Sequence, residues 1–187
     1  NLIGTDNSFF GYDAGLLATG NGNSFIGSAA GRSNTAGEAN TFVGYLAGNR
    51  NTTGSQNTIV GVQAGQWTDE SHANSFFGYR AGDITIGNGQ NSIFGAYAAR
   101  FNQTGWRNTM FGYMAGAENT NGSHNAFFGW SSGDRNVTGD NNTLIGSNTD
   151  VASGNLGYAT AIGADAVVSS SNTIALGRSA GQDTVVV

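Results

Sequence analysis

Hydrophobic and polar residues recur along this chain in a 17-residue unit. The unit contains an Asn, a Ser or Thr, two large apolar residues and a Gly, usually followed by a Tyr and an Ala-Gly pair. One copy, from Asn74 to Gly82, reads Asn-Ser-Phe-Phe-Gly-Tyr-Arg-Ala-Gly. Such a period is typical of proteins whose units cannot bury an apolar face alone and therefore stack on their neighbours. The pattern predicts a solenoid in which each unit forms one turn, here called a rung.

The first Asn of each unit, here called the anchor Asn, marks the register. Anchors lie at positions 7, 23, 40, 57, 74, 91, 108, 125 and 142. The Gly that lies four places after the anchor continues the series to Gly163, and the next Gly in the series, Gly177, follows after a shorter, 14-residue step. We therefore expect about ten 17-residue rungs over residues 1–158 and 14-residue rungs over 159–187, leading into a further region beyond Val187.

The two apolar residues of each unit predict a short β-strand and therefore an all-β fold. Because successive side chains of a strand point to opposite faces, Phe76 and Phe77 belong to two different columns. The first apolar column is Phe9, Phe25, Phe42, Ile59, Phe76, Ile93, Met110, Phe127 and Leu144. The second is Phe10, Ile26, Val43, Val60, Phe77, Phe94, Phe111, Phe128 and Ile145. A single solenoid covers only one of these columns, so we expect self-association along the other.

The remainder of the unit carries three further expectations. Residues 79–81 predict a second short strand, with Ala81 closely packed and Arg80 facing solvent, and Gly82 predicts a corner with a positive φ. Stacked anchor Asn side chains predict an amide ladder. The segment from 49 to 56, which varies most between units, predicts an exposed loop.

Composition excludes several classes of function. The net charge of −5, with only seven scattered cationic residues, provides no surface for nucleic-acid phosphates. No apolar run approaches the roughly 20 residues of a membrane-spanning helix, so membrane insertion is not expected. The 31 Gly and absent Pro suit a continuous backbone ladder, which needs every N–H group.

Few residues carry candidate chemistry. His72 and His124 occupy different places in their units, and the acids are scattered. We therefore predict no catalytic, cofactor-binding or metal site. Ten places after the anchor, three consecutive rungs carry Trp67, Ile84 and Phe101. We expect these three to form a buried third ladder; the alternative is a surface stripe that stacks on a sugar or a partner, with Trp106 as a further ligand contact from a loop.

The C-terminal units resemble a known family. The segments 160–163, Thr-Ala-Ile-Gly, and 172–180, Asn-Thr-Ile-Ala-Leu-Gly-Arg-Ser-Ala, resemble the 14-residue head repeat of YadA-like trimeric autotransporter adhesins. The 17-residue units resemble a longer variant found in bacterial surface fibres and phage-tail-fibre-like proteins. The resemblance covers nearly the whole chain. It implies a left-handed parallel β-roll, a homotrimer, and an extracellular location on an outer-membrane-anchored fibre or a virion tail fibre.

These observations favour a non-enzymatic fibre module, the head or shaft of a surface adhesin or tail fibre. Its expected partners are two further copies of itself and a host or prey surface glycan or protein, with no cofactor. One alternative is a rigid spacer, with recognition located elsewhere. Another is an ice-binding β-solenoid, although the column that contains Thr35, Thr52 and Thr120 is interrupted by Asp69 and Ile86.

Overall fold

The chain forms a parallel β-solenoid in which each unit contributes one three-residue strand. The structure is a computed structural model that describes residues 4–87, 89–178 and 183. Within these ranges there are thirteen strands and no helix. The strands are β1 (Ser8–Phe10), β2 (Ser24–Ile26), β3 (Thr41–Val43), β4 (Thr58–Val60), β5 (Ser75–Phe77), β6 (Ser92–Phe94), β7 (Thr109–Phe111), β8 (Ala126–Phe128), β9 (Thr143–Ile145), β10 (Asp150–Val151), β11 (Thr160–Ile162), β12 (Val167–Val168) and β13 (Ile174–Leu176).

Eleven strands make one parallel sheet in chain order, from β1 to β9 and then β11 and β13. Phe76 pairs with Ile93 across a 17-residue step, whereas Ile162 pairs with Leu176 across a 14-residue step. β10 and β12 form a small second parallel sheet. The predicted all-β solenoid of 17-residue rungs is therefore confirmed. Because β9 pairs with β11, the change in rung length falls within one continuous sheet. At about 4.8 Å between strands, the sheet is about 50 Å long.

The first apolar column forms the core. From Phe25 to Leu144 its side chains are fully buried, and Phe9, in the first rung, is partly buried. The Phe25 and Phe42 rings stack with their centroids 4.8 Å apart. Opposite them lies a column of small residues, of which Ala81 is fully buried, as predicted. Alternation within each strand therefore places the second apolar column on the outside.

The second strand predicted at residues 79–81 is wrong, because these residues form a turn. Arg80 has a φ of 54°, in the left-handed region. Its N–H donates to the Val62 carbonyl of the preceding rung at 3.1 Å, and the equivalent residue of each other unit also has a positive φ. Repeated hydrogen bonds between rungs hold non-Gly residues in this left-handed conformation. The residue types at this position therefore do not predict the turn. Arg80 is half-buried rather than fully solvent-facing.

The predicted corner at Gly82 is confirmed, with a φ of 57°. A Cβ at Gly82 would lie 2.6 Å from the Phe76 ring, so this position needs both the left-handed backbone and the missing side chain. Ala99 occupies the same corner at a φ of 47°, and its own rung carries Ile93 in place of Phe. The corner at Ala99 is thus left-handed, and its Cβ is tolerated where the core ring is absent.

Gly82→Ala is expected to lower the free energy of unfolding by at least about 2 kcal/mol, the sum of left-handed strain and core overlap. The matched control is Gly87→Ala, since Gly87 also has a positive φ but a Cβ there would meet no atom within 4 Å. That control should lose only about 1 kcal/mol, from backbone strain alone. Urea titrations followed by circular dichroism measure both. Equal losses would mean that contact with Phe76 does not limit the corner.

The predicted amide ladder of anchor Asn side chains is also confirmed. From Asn7 to Asn142, each anchor Oδ1 accepts the backbone N–H of the next anchor position at 2.8–3.0 Å, ending at Ala159. The Nδ2 of most anchors donates to a carbonyl near the end of the same rung; for Asn108 this is Gly122, at 2.8 Å. Each anchor is thus joined to the next rung, and most anchors also tie their own rung closed.

Candidate binding groove and outward apolar face

The second apolar column lies on the outside of the sheet, where solvent reaches it. Phe10 is 78% exposed and Phe111 is 51% exposed. The rings of Phe77 and Phe94 stack at 4.7 Å, and the stack continues through Phe111 to Phe128. A neighbouring column adds further exposed apolar side chains, namely Tyr12, Tyr45, Val62, Tyr79, Tyr113 and Trp130. Together these two columns form the outward apolar face.

A second buried Asn column, eleven places after the anchor, was not predicted. It comprises Asn34, Asn51, Asn102, Asn119 and Asn136. Each Nδ2 donates to the carbonyl three places on, as from Asn51 to Gly54 at 2.8 Å. The prediction that residues 49–56 are an exposed loop is therefore wrong in part, because Asn51 and Gly54 are buried. The recurring Asn-x-x-Gly motif is the sequence signal that reveals this column.

Two consecutive rungs break this second column. Thr68 and Thr85 replace Asn there, and their hydroxyls donate to the Gly65 and Gly82 carbonyls instead. Asn51, just before the break, is left with a buried Oδ1 that has no hydrogen-bond partner. The loops of these two rungs therefore depart from the repeat.

The aromatic stripe of Trp67, Ile84 and Phe101 lies at this break. Trp67 and Ile84 pair through a parallel β-bridge, but Trp67 is 40% exposed, and Ile84 and Phe101 are partly exposed. The expected buried ladder is therefore wrong for the single chain, because the stripe lies at a corner outside the core. The Arg50 guanidinium covers one face of Trp67, with Cζ 3.7 Å from the ring centroid. Arg100 lies over Phe101 at 4.7 Å.

Trp106 lies in a different column from the stripe, and the fold does not bring it to the other three residues. It is partly buried, with its ring centroid 4.8 Å from that of His124. The Arg107 guanidinium lies 4.4 Å from the Trp106 centroid. The indole is thus flanked by the chain's own side chains.

A groove of about 460 Å³ opens beside Trp67. Its lining residues are Arg32, Ser33, Asn49, Arg50, Thr52, Trp67, Asp69 and Ile86. Asp13 holds Arg32 at 3.3 Å, and the Thr52 hydroxyl donates to Asp69 Oδ1 at 2.5 Å. The groove therefore combines two guanidiniums, a fixed carboxylate and exposed apolar surface.

A smaller cavity of about 270 Å³ lies beyond the stripe, between Arg80, Arg100 and the rings of Tyr97 and Tyr113. Asp83 is buried beside it, and its Oδ2 lies 3.2 Å from Arg80 Nε, an ion pair without the angle of a hydrogen bond. Burial raises the pKa of Asp83, and the nearby charges of Arg80 and Arg100 oppose that rise. This ion pair stabilises one partly buried cationic side chain of the corner.

Away from the groove, Arg135 pairs with Asp150 at 3.8 Å, with Asp134 nearby, and the two histidines lie apart from each other. His72 Nδ1 accepts the Ser55 N–H at 3.0 Å, and His124 contacts Trp106. Among the described residues no group of three or more His, Asp or Glu side chains could hold a metal ion. Over the same ranges, no helix has the length and apolar character needed to cross a bilayer. Comparison with protein-family models, curated proteins and solved structures returned no match.

Proposed function

We propose that this chain is a non-enzymatic segment of an extracellular fibre, in which three copies associate along the outward apolar face. The proposal rests on the second apolar column. This column is apolar in all nine rungs from Phe10 to Ile145, and yet its side chains are partly or largely exposed in the single chain. Soluble monomers rarely expose a contiguous apolar patch that runs the length of the molecule. A second and a third copy would cover it.

The shape of the fold supports a fibre role. One continuous parallel sheet, about 50 Å long, is tied rung to rung by the anchor ladder. Such a rod holds its two ends at a fixed separation and presents equivalent corners on every copy. The resemblance of its units to head repeats of trimeric autotransporter adhesins is the reason for proposing three copies and a cell-surface or tail-fibre location. Three copies would also multiply weak contacts with a surface into avidity.

The first test of this proposal is the mass of the chain in solution. Light scattering at micromolar concentration should give about 57 kDa, three times the chain mass of 19.1 kDa. The triple variant Phe77→Ser, Phe94→Ser and Phe111→Ser should reduce the mass to one chain while the circular dichroism spectrum stays that of the parent. Loss of assembly is expected because three central side chains of the face become polar.

The control is the pair Ile86→Ser and Val137→Ser, which removes exposed apolar side chains from a column outside the outward face. This variant should keep the parent mass. A monomeric parent chain would contradict the proposal, as would a triple variant that remains fully assembled.

A further inference from the structure

The groove beside Trp67 lies where the sequence departs from its own repeat. Thr68 and Thr85 interrupt the second Asn column, and the loops of their rungs carry Asp69 and Ile86 where the preceding two rungs carry Thr. The outward apolar face uses other columns and does not need this change. Positions that break a local rule without a gain in packing are expected at functional sites. The break therefore indicates that the groove has a function separate from association along the outward apolar face.

Arg50 is presented to the groove in a form suited to binding a carboxylate. Its guanidinium lies flat on Trp67, and it forms no salt bridge with any described carboxylate. Stacking orients the plane of a guanidinium while its in-plane N–H groups stay available for bidentate hydrogen bonding. Arg32, one rung away, is held in place through its Nε by Asp13, which compensates its charge, and its remaining guanidinium N–H groups add further donors.

Further residues that line the groove suit hydroxyl groups and C–H surface. Asp69 is fixed by the Thr52 hydroxyl and offers acceptor oxygens, and Asn49, whose Nδ2 donates to the Ala29 carbonyl at 2.9 Å, adds an amide oxygen. Trp67 and Ile86 are 40% and 46% exposed and provide an apolar wall. Positively charged and hydroxyl-binding groups are thus separated by one or two rungs of about 4.8 Å, the scale of a sugar ring.

Several backbone N–H groups along the groove are already paired with the neighbouring rung. The N–H groups of Arg50, Trp67 and Ile86 donate to carbonyls of the following rung at 2.7–3.0 Å. An extended peptide gains its affinity from a free strand edge, which these rungs do not offer. Recognition here must come from side chains, and this favours a saccharide over a peptide. The volume also falls within the range of about 300–1,000 Å³ that is usual for small-ligand sites.

We propose that this groove binds an acidic sugar residue of a glycan, a hexuronic or sialic-type acid. Its carboxylate lies on Arg50 and Arg32, its hydroxyls on Asp69, and its apolar ring face on Trp67 and Ile86. This inference assigns a ligand class to the proposed surface fibre and therefore rests on the proposed function. Binding itself does not depend on copy number, so a failure of the mass measurement and a failure of sugar binding are separate results.

The test is saturation-transfer NMR on the full chain with methyl β-glucuronide, N-acetylneuraminic acid and, as the neutral counterpart, methyl β-glucoside. At least one acid should bind, and the glucuronide or the sialic acid should bind about tenfold or more tightly than the glucoside, the scale of one charge-assisted hydrogen-bond pair. Arg50→Gln should weaken acid binding by about the same factor. Fluorescence of Trp67, in a background with Trp106→Phe and Trp130→Phe, reports the same site.

The matched control is Arg135→Gln. Arg135 is an exposed Arg in the same column as Arg50, but the next rung carries Ala152 there rather than a ring, and Arg135 pairs with Asp150 at 3.8 Å. This variant should bind as the parent does. Binding of neither acid, a glucoside that binds as tightly as both acids, or equal loss in both Arg variants would overturn the proposal. So would competition by acetate at the affinity of the glucuronide, or binding of a peptide with a free terminal carboxylate in place of the sugars.

Discussion

Phe76→Ala is expected to lower the free energy of unfolding by about 3–5 kcal/mol, the usual cost of removing a fully buried Phe. The ring is 0% exposed, and its strand neighbours in the core are Ile59 and Ile93. Because parallel stacking leaves each core position with one neighbour above and one below, the cavity would have a rung of rigid backbone on both sides. Partial collapse is therefore restricted, and the loss should lie in the upper half of the range.

Phe77→Ala is the matched control, since it removes the same side chain one position along the strand. In the dissociated chain it should cost about 1 kcal/mol, because the ring is partly exposed and loses mainly its stack on Phe94. If the outward face associates, the cost of Phe77→Ala should grow with protein concentration, whereas that of Phe76→Ala should not. Urea titrations at two concentrations separate the two cases. Equal costs in dilute solution would contradict the assignment of inner and outer columns.

Asn108→Ala is expected to cost about 3 kcal/mol, because two buried polar groups lose their partners at about 1–3 kcal/mol each. Asn108 Nδ2 donates to the Gly122 carbonyl at 2.8 Å, and its Oδ1 accepts the Asn125 N–H at 2.9 Å. The small cavity adds to this loss. The measurement is the same urea titration, with hydrogen exchange of the Asn125 N–H as a local reporter.

Asn121→Ala is the control for the ladder, as Asn121 is an exposed Asn in the same stretch of chain. A surface substitution of this kind should change the free energy of unfolding by less than about 0.5 kcal/mol. Exchange at Asn125 should then stay slow. If Asn108→Ala were as mild as Asn121→Ala, the anchor ladder would be a consequence of the stacking rather than a cause of its stability.

Features that repeat in residue type could be predicted from the sequence. The strand that contains Phe76 and Phe77, the buried Ala81, the corner at Gly82 and the Asn108 ladder all follow from side chains whose chemistry allows few alternatives. Period 2 within a strand and period 17 along the chain place them without any knowledge of the backbone.

What could not be predicted depends on backbone geometry or on a single departure from the repeat. The turn at Arg80 has a left-handed conformation in a column of mixed residue types, so no residue preference predicts it. The role of Asn51 was not predicted because the variable residues around it favour an exposed loop, although the Asn-x-x-Gly motif that contains it recurs in other units. Trp67 could be singled out, but its partial exposure and its contact with Arg50 depend on the loop shape that Thr68 and Thr85 create.

The pairing of equivalent residues between neighbouring rungs also has a consequence for how the sequence evolves. Strand Ser75–Phe77 would match strand Thr41–Val43 almost as well as it matches its actual neighbour, since both present the same inner and outer positions. Recombination that deletes or duplicates a 17-residue cassette therefore keeps every hydrogen-bonded partner type, and the rod shortens or lengthens in steps of about 4.8 Å. The units that contain Thr68 and Thr85 are the exception, because they interrupt the second Asn column. Their deletion or duplication would alter the groove, whereas that of the other units would alter only the length of the rod.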